Sequence, residues 1–366
     1  MTTTYDCNTT NVLAIDIGGS KLLTAVAQTT ASADGGKEVV LQGIARRTLA
    51  RSNDVELVWH AILDAIQETI RSTGFEITDI SRIGATIPGV ADPFRGFWVY
   101  APFSGISNFP LAERLCAEFG RPAFADNDVN ACAWAEKQFG VCRNVDNYLW
   151  LTVSNGIGGG LVLNGQVYAG KFAGAAEIGH FNVVDDGPLC GCGNHGCLEA
   201  VASGQGIARA YRVLLQSAIT DSGDVSAQTR ALWFDYLKFQ YSEATTDAEI
   251  MSKVQEDTEH ATAAMIAEWA RQGNPLAKLV YDNTGSVIGR ALSWAANLVN
   301  PEKIVLGGGV AGSFDLLYPT MWDAFQKRLF KSVNTMLTIE RTGLGYEAGL
   351  MGATALAIAN PYRQIA

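Results

Sequence analysis

Short apolar runs that end in glycine punctuate this chain. Residues 12–15 are apolar and lead through Asp16 into Gly18, Gly19, Ser20 and Lys21, and residues 22–27 resume the apolar character. That pattern predicts two strands joined as a hairpin by a glycine-rich turn. Residues 39–49 predict a third strand, and the helical spacing of apolar positions across 55–70 predicts an amphipathic helix. A buried strand is expected at 82–87, ahead of Pro88 and Gly89, then a helix at 111–119, a strand at 123–125 and a helix at 127–139. The pattern then starts again. Residues 148–153 predict a strand, 154–160 a polar and glycine-rich turn, and 161–163 a second strand. Residues 204–298 are expected to be mostly helical, with a break at Ser222 and Gly223. Residues 301–306 predict a strand running into Gly307, Gly308 and Gly309, and 314–329 and 348–358 predict helices. Strand, glycine turn, strand thus occurs twice, with Asp or Ser/Asn at the mouth. That is the weak duplication expected of an α/β protein whose two similar domains face a cleft.

Composition narrows the class. The 366 residues suffice for two domains, and a 48% apolar and 17% charged content is that of a globular protein. Net charge is −10 with no basic block, which argues against nucleic acid. No apolar run reaches the roughly 18 residues of a membrane span, and the first ten residues show no signal pattern. The expected compartment is therefore the cytoplasm, where disulfides are rare. Three of the seven cysteines nonetheless crowd together, at 190, 192 and 197, while Cys7, Cys116, Cys132 and Cys142 are scattered. Such crowding in a reducing compartment points to metal.

Three groups of residues can carry chemistry. The glycine turns are the first: backbone N–H groups free of Cβ form anion-binding concavities, and Asp16 at a strand end suits Mg²⁺ held through water. Asn155, Gly156, Gly158, Gly159 and Gly160 offer a second such wall, and Gly307, Gly308 and Gly309 a third. No Walker A loop occurs, and the second loop opens into a strand rather than the helix of a dinucleotide fold. Asp126, Asn127 and Asp128 form the second group, at a strand end and helix start. Asp and Asn are ordinary N-cap residues there. The functional alternative makes Asp128 the carboxylate that takes a hydroxyl proton, with Asn127 bonding a neighbouring sugar hydroxyl. The third group is His180 with Cys190, Cys192 and Cys197, a closed Cys₃His set of the structural zinc type; His195 is the competing imidazole. Glu177 and Glu199 bracket this knot, where they are candidates to accept sugar hydroxyls.

Together these motifs resemble the ROK family of repressors, open reading frames and sugar kinases. The match runs from D-I-G-G-S-K at 16–21 through P-G-V at 88–90, D-N-D at 126–128, G-I-G-G-G at 156–160 and E-I-G-H at 177–180. It continues with C-G-C-G-x-x-G-C-L-E at 190–199 and P-E-x-I-V-L-G-G-G at 301–309. The resemblance implies the two-domain actin–hexokinase fold, with residues 1–125 plus 347–366 forming the smaller domain and 126–346 the larger. It implies ATP-dependent phosphorylation of a hexose or N-acetylhexosamine hydroxyl, the 6-OH, with Asp128 as general base. Gly89, Asn127, Glu177, His180 and Glu199 would line the sugar, and His180 would also bind zinc. Asp16, Gly18, Gly19, Ser20, Lys21, Asn155, Gly156, Gly158, Gly159, Gly308 and Gly309 would hold ATP and its magnesium. A homodimer or higher oligomer is implied as well.

Four positions depart from the family pattern. Ser20 and Asn155 stand where Thr is usual, Ala176 where Gly is common, and Pro102 where a sugar-contacting Asn or Thr is expected. Residues 216–260 form an extra segment that is both acidic and aromatic, expected either to thicken the larger domain, to make a subunit interface through 233–241, or to cover the sugar cleft. A repressor would need a DNA-reading segment before the first strand, where only about ten residues stand, so an enzyme is expected. The alternative is a sugar-binding or ATP-hydrolysing relative with a lost or altered acceptor. The sequence leaves the sugar open among glucose, N-acetylmannosamine and N-acetylglucosamine, and the donor open to polyphosphate.

Overall fold

The computed structural model describes residues 9–32, 36–49, 52–101, 104–244, 246–332 and 336–362. Cys7 and Pro102 lie outside them. The first half contains β1 (Thr10–Ile17), β2 (Lys21–Ala31), β3 (Lys37–Thr48), α1 (Val55–Thr73), β4 (Arg82–Ile87), three short strands β5 (Val90–Asp92), β6 (Phe97–Tyr100) and β7 (Ser107–Phe109), α2 (Leu111–Phe119), β8 (Ala123–Asn127) and α3 (Asp128–Gln138). The second half contains β9 (Tyr148–Val153), β10 (Ile157–Leu163), β11 (Gln166–Val167), α4 (Leu198–Ala202), α5 (Gly204–Thr220), α6 (Ala227–Gln240), α7 (Asp247–Glu259), α8 (Ala263–Arg271), α9 (Pro275–Val299), β12 (Lys303–Gly307), α10 (Phe314–Gln326), β13 (Thr338–Arg341) and α11 (Ala348–Ile358).

The duplication expected from the glycine pattern is real at the level of topology. One sheet has the order β3-β2-β1-β4-β8 and the other β11-β10-β9-β12-β13. In each, an antiparallel three-stranded meander is extended by two parallel strands on the far side of its first strand. The architecture is mixed α/β, of the actin–hexokinase type. Each sheet has its own core: Leu13, Ile15, Ile83, Ile62 and Trp98 in the first, Leu151, Ile304, Ile288, Leu292 and Trp233 in the second.

Helices α3 and α11 lie between the sheets. Residues 129–136 of α3 are all buried, so this helix has no solvent face to make it amphipathic. Its neighbours approach closely. A methyl group at Gly352 of α11 would sit 3.0 Å from Ala131, and one at Gly84 of β4 would collide with the Ala353 carbonyl. The chain's final helix thus closes the sheet formed by its first strands.

The sheet β5-β6-β7 is absent from the expectations above, because strands of three or four residues are too short to show alternation. A second correction concerns 156–160. The turn is confined to 154–156, and β10 already begins at Ile157, so Gly158, Gly159 and Gly160 are strand residues. Their bareness has a packing reason: side chains there would run into Val129, the Ala176 carbonyl and Ala133.

Candidate active site

The first turn is closed by Gly18 N–H donating to the Lys21 carbonyl at 2.7 Å. Just before it, Asp16 accepts the Thr86 hydroxyl of β4 at 2.7 Å, and Gly349 in the first turn of α11 abuts its carboxylate so closely that any side chain would collide. Burial raises the Asp16 carboxyl above its ordinary range, opposed by Thr86 and by the Lys21 charge. The Lys21 ammonium lies 5.1 Å from the centre of the Tyr346 ring.

The second turn and the third glycine loop meet. Ser154 N–H bonds the Gly156 carbonyl at 2.9 Å, and Gly204 N–H bonds the Ser154 carbonyl at 2.7 Å, docking the start of α5 on the turn. Gly308 has φ of 87°, a left-handed conformation that suits glycine, and a side chain there would press on the Val153 carbonyl. Asn155 and Gly309 line one wall of a cavity of about 690 Å³. Arg209, Arg212, His260 and Tyr281 line the same cavity, none of which the sequence patterns had marked. Arg209 is partly spent on the Ala200 carbonyl, at 2.7 Å.

At the third corner, β8 hands over to α3. Asn127 is the N-cap: its Oδ1 accepts from Val129 N–H at 2.9 Å and Asn130 N–H at 3.4 Å, and its Nδ2 donates to the Gly89 carbonyl at 2.8 Å. Gly89 supplies that carbonyl from a backbone with φ of 85°. Asp128 is the first helical residue, half-buried, with its carboxyl pushed up to about 7 by burial and then by the charge of Asp16. Asp126 is fully buried and likewise pushed up to about 7 by burial, although Tyr362, Asn127 and Asn130 bond to it and oppose the shift. Three carboxylates therefore converge here, from two strands and one helix.

His180, Cys190, Cys192 and Cys197 come together as expected, with ligand atoms within 4.8 Å of one another. His180 Nδ1 is 3.7 Å from Cys190 Sγ, and Cys192 Sγ is 3.7 Å from Cys197 Sγ. A tetrahedral ion with bonds of ~2.3 Å has edges of roughly 3.8 Å, so the four donors fit zinc in size as well as in kind. His195 lies apart, its Nδ1 3.0 Å from the Gly187 carbonyl oxygen. The other ring nitrogen of His180 faces Glu177, Nε2 to Oε2 3.8 Å. Glu199 joins the knot to the second turn: its Oε2 accepts Ile157 N–H at 3.0 Å, while its Oε1 lies 3.7 Å from Cys190 Sγ. Ala176, where glycine is the commoner family residue, has φ of 64°. A left-handed backbone is what a side chain resists and glycine accepts.

No helix among the described residues is long and apolar enough to cross a membrane. A cleft built from two duplicated α/β sheets, glycine turns on both sides and carboxylates at its centre defines a phosphoryl-transfer class of protein. More particularly, the model of the ROK family matches residues 12–360, and the chain belongs to that family. It is 28% identical over 349 residues to a glucokinase of Thermotoga maritima, covering 94% of this chain and 96% of that one. It is 30% identical over 297 residues to the DNA-binding transcriptional dual regulator NagC of Escherichia coli, covering 81% of this chain but 65% of the regulator. Among solved structures, a ROK family glucokinase of Streptomyces griseus, in complex with glucose and AMPPNP, superposes with a TM-score of 0.71 at 27% identity, over 95% of this chain and 99% of that one.

Proposed function

We infer that this chain, a ROK-family sugar kinase, moves the γ-phosphoryl group of ATP onto the 6-OH of a hexose or N-acetylhexosamine, with Asp128 as general base. The observation that carries the reading is Asp128 itself. It opens α3 half-buried, with its carboxyl near 7, and a carboxylate so placed holds a proton loosely enough to take one from an alcohol and return it. Asn127, Gly89, Glu177, His180 and Glu199 surround the acceptor. Asn127 has both functional atoms engaged by Gly89 and the helix start, so it offers the sugar an oriented amide rather than a mobile one.

The nucleotide lies along Gly18, Gly19, Ser20 and Lys21 on one side and Asn155, Gly156, Gly308 and Gly309 on the other, with its nucleoside in the cavity beside Arg212 and His260. Gly158 and Gly159, the first glycines of β10, continue that wall through their backbone. Magnesium would be held near Asp16 and would neutralise charge on the phosphates. Zinc at the Cys₃His set would fix Glu199 and His180 in place. Chemistry of this kind belongs in the cytoplasm, where ATP is abundant.

Measuring ADP release against a panel of hexoses and N-acetylhexosamines tests the reading. Release that depends on one sugar, with product phosphorylated at O6, is expected. ADP release indifferent to every sugar would overturn it in favour of an ATPase.

A further inference from the structure

The last described residues of the chain end inside the acceptor corner. From the last turn of α11 onward the backbone is held repeatedly. Arg82 Nη1 donates to the Ala357 carbonyl at 3.3 Å and the Ile358 carbonyl at 3.4 Å, Trp134 of α3 donates to the Ala359 carbonyl, and Tyr362 N–H bonds Asn360 Oδ1 at 2.9 Å. The Tyr362 ring then packs edge-on against Phe94, with centroids 5.3 Å apart. Its hydroxyl donates to Asp126 Oδ2 at 2.6 Å. On the other carboxylate oxygen, Asp126 Oδ1 accepts Asn127 N–H at 2.6 Å and faces Asn130 Nδ2 at 3.5 Å.

We propose that Tyr362 is a positioning residue for the acceptor site, acting through Asp126 to hold the Asp126–Asn127–Asp128 corner against α3. Asp126 is 1% exposed and, among the described residues, no cation pairs with it. Its outer oxygen has the Tyr362 hydroxyl as its hydrogen-bond donor. Without that donor the buried carboxyl must turn towards Asn130 or give up its charge, and either movement alters the N–H of Asn127 that it grips. A shift of that residue moves both the amide that orients the sugar and the carboxylate that follows it. The C-terminal tail is then part of the acceptor site, although it touches no substrate. The proposal rests on the reading that this corner binds sugar.

Full-length Tyr362→Phe keeps the ring on Phe94 and removes only the hydroxyl. With the best acceptor from the panel, turnover is expected to fall roughly tenfold, the scale of a small misplacement of reacting groups. Sugar affinity, measured by calorimetry without nucleotide, should weaken several-fold, and KM for ATP should stay within about twofold of wild type. Added to Asp126→Ala, the same substitution should cost nothing further. Phe94→Leu, which loosens the ring but spares the hydroxyl, should leave sugar affinity within about twofold. Tyr362→Phe with unchanged sugar affinity and turnover would overturn the proposal, as would a full additional loss in the Asp126→Ala background or an equal loss in Phe94→Leu. The binding arm decides this even if the wild-type protein transfers no phosphoryl group, so failure of the kinase reading is told apart from failure of this one.

Discussion

Two adjacent carboxylates, Asp126 and Asp128, show how position divides labour between identical side chains. Asp126 points into protein and is consumed by Tyr362, Asn127 and Asn130, whereas Asp128 stays half-buried and accepts the N–H of Val129. The motif D-N-D and the helix start pointed to Asp128 in the sequence, but the hold on Asp126 was hidden there, since Tyr362 lies 236 residues from its partner. Asp128→Asn is expected to lower turnover by about 100-fold or more while sugar affinity stays near wild type. The base must be unprotonated, and its carboxyl sits at about 7, so activity should rise with pH through 7 and fall away below it. A profile flat from pH 5 to 8 would remove Asp128 from that role. Ala176 gives a test of a different kind. Its left-handed backbone costs a residue with a Cβ roughly 1 kcal/mol, so Ala176→Gly should raise the unfolding midpoint in urea by a corresponding amount.

At the level of elements, the strands and long helices were legible because each is an apolar run or stripe bounded by glycine or a capping residue. What escaped has a physical explanation in each case. Strands β5 to β7, β11 and β13 are too short to show a period, and the glycines of β10 imitate a loop because α3 and the segment at Ala176 leave them no room for side chains. The cysteine knot was fully legible, its donors being close in sequence apart from His180. We expect one zinc per chain in protein purified without added metal, and a lower unfolding temperature after chelation, because binding energy at such a site is folding energy. Elemental analysis that finds none in folded protein would refute this. Helices α6 and α7 bury Trp233, Leu237, Ile250 and Val254 in the second core, as a thickened helical layer requires, while Leu232 and Phe239 of α6 stay exposed. The end of α7 reaches the cavity of about 690 Å³ through Glu259 and His260. Nothing in the sequence joins that segment to Arg212, because their adjacency is made by packing. Arg212 lies exposed in the cavity without an ion pair among the described residues, so Arg212→Ala should raise KM for ATP several-fold and leave KM for sugar unchanged. Equal effects on both constants would argue against the nucleoside placement.

For the whole molecule, duplication gives each sheet a glycine turn, with α11 packed against Asp16 beside one and α3 against β10 beside the other. The expected boundary at 125/126 moves to the end of β8, because Asp126 and Asn127 pair with β4 in the first sheet; we take residues 128–346 as one moving body and the remainder as the other. Closure on sugar and a nucleotide analogue should compact the particle, measured by X-ray scattering, because excluding water protects the phosphoryl group from hydrolysis. An unchanged radius with both ligands saturating would count against it. The placement of α11 has a consequence for how the protein is made. Domains generally fold as units while the ribosome is still working, at about 5–20 residues per second. Here the sheet begun by the first strands waits for α11, which follows every other described element. Until then Ala14, Leu23 and Ala25 lack their cover of Leu350 and Ala353. Nascent chains stalled before residue 348 should therefore be cut readily by protease within the first sheet, whereas chains extended past α11 resist.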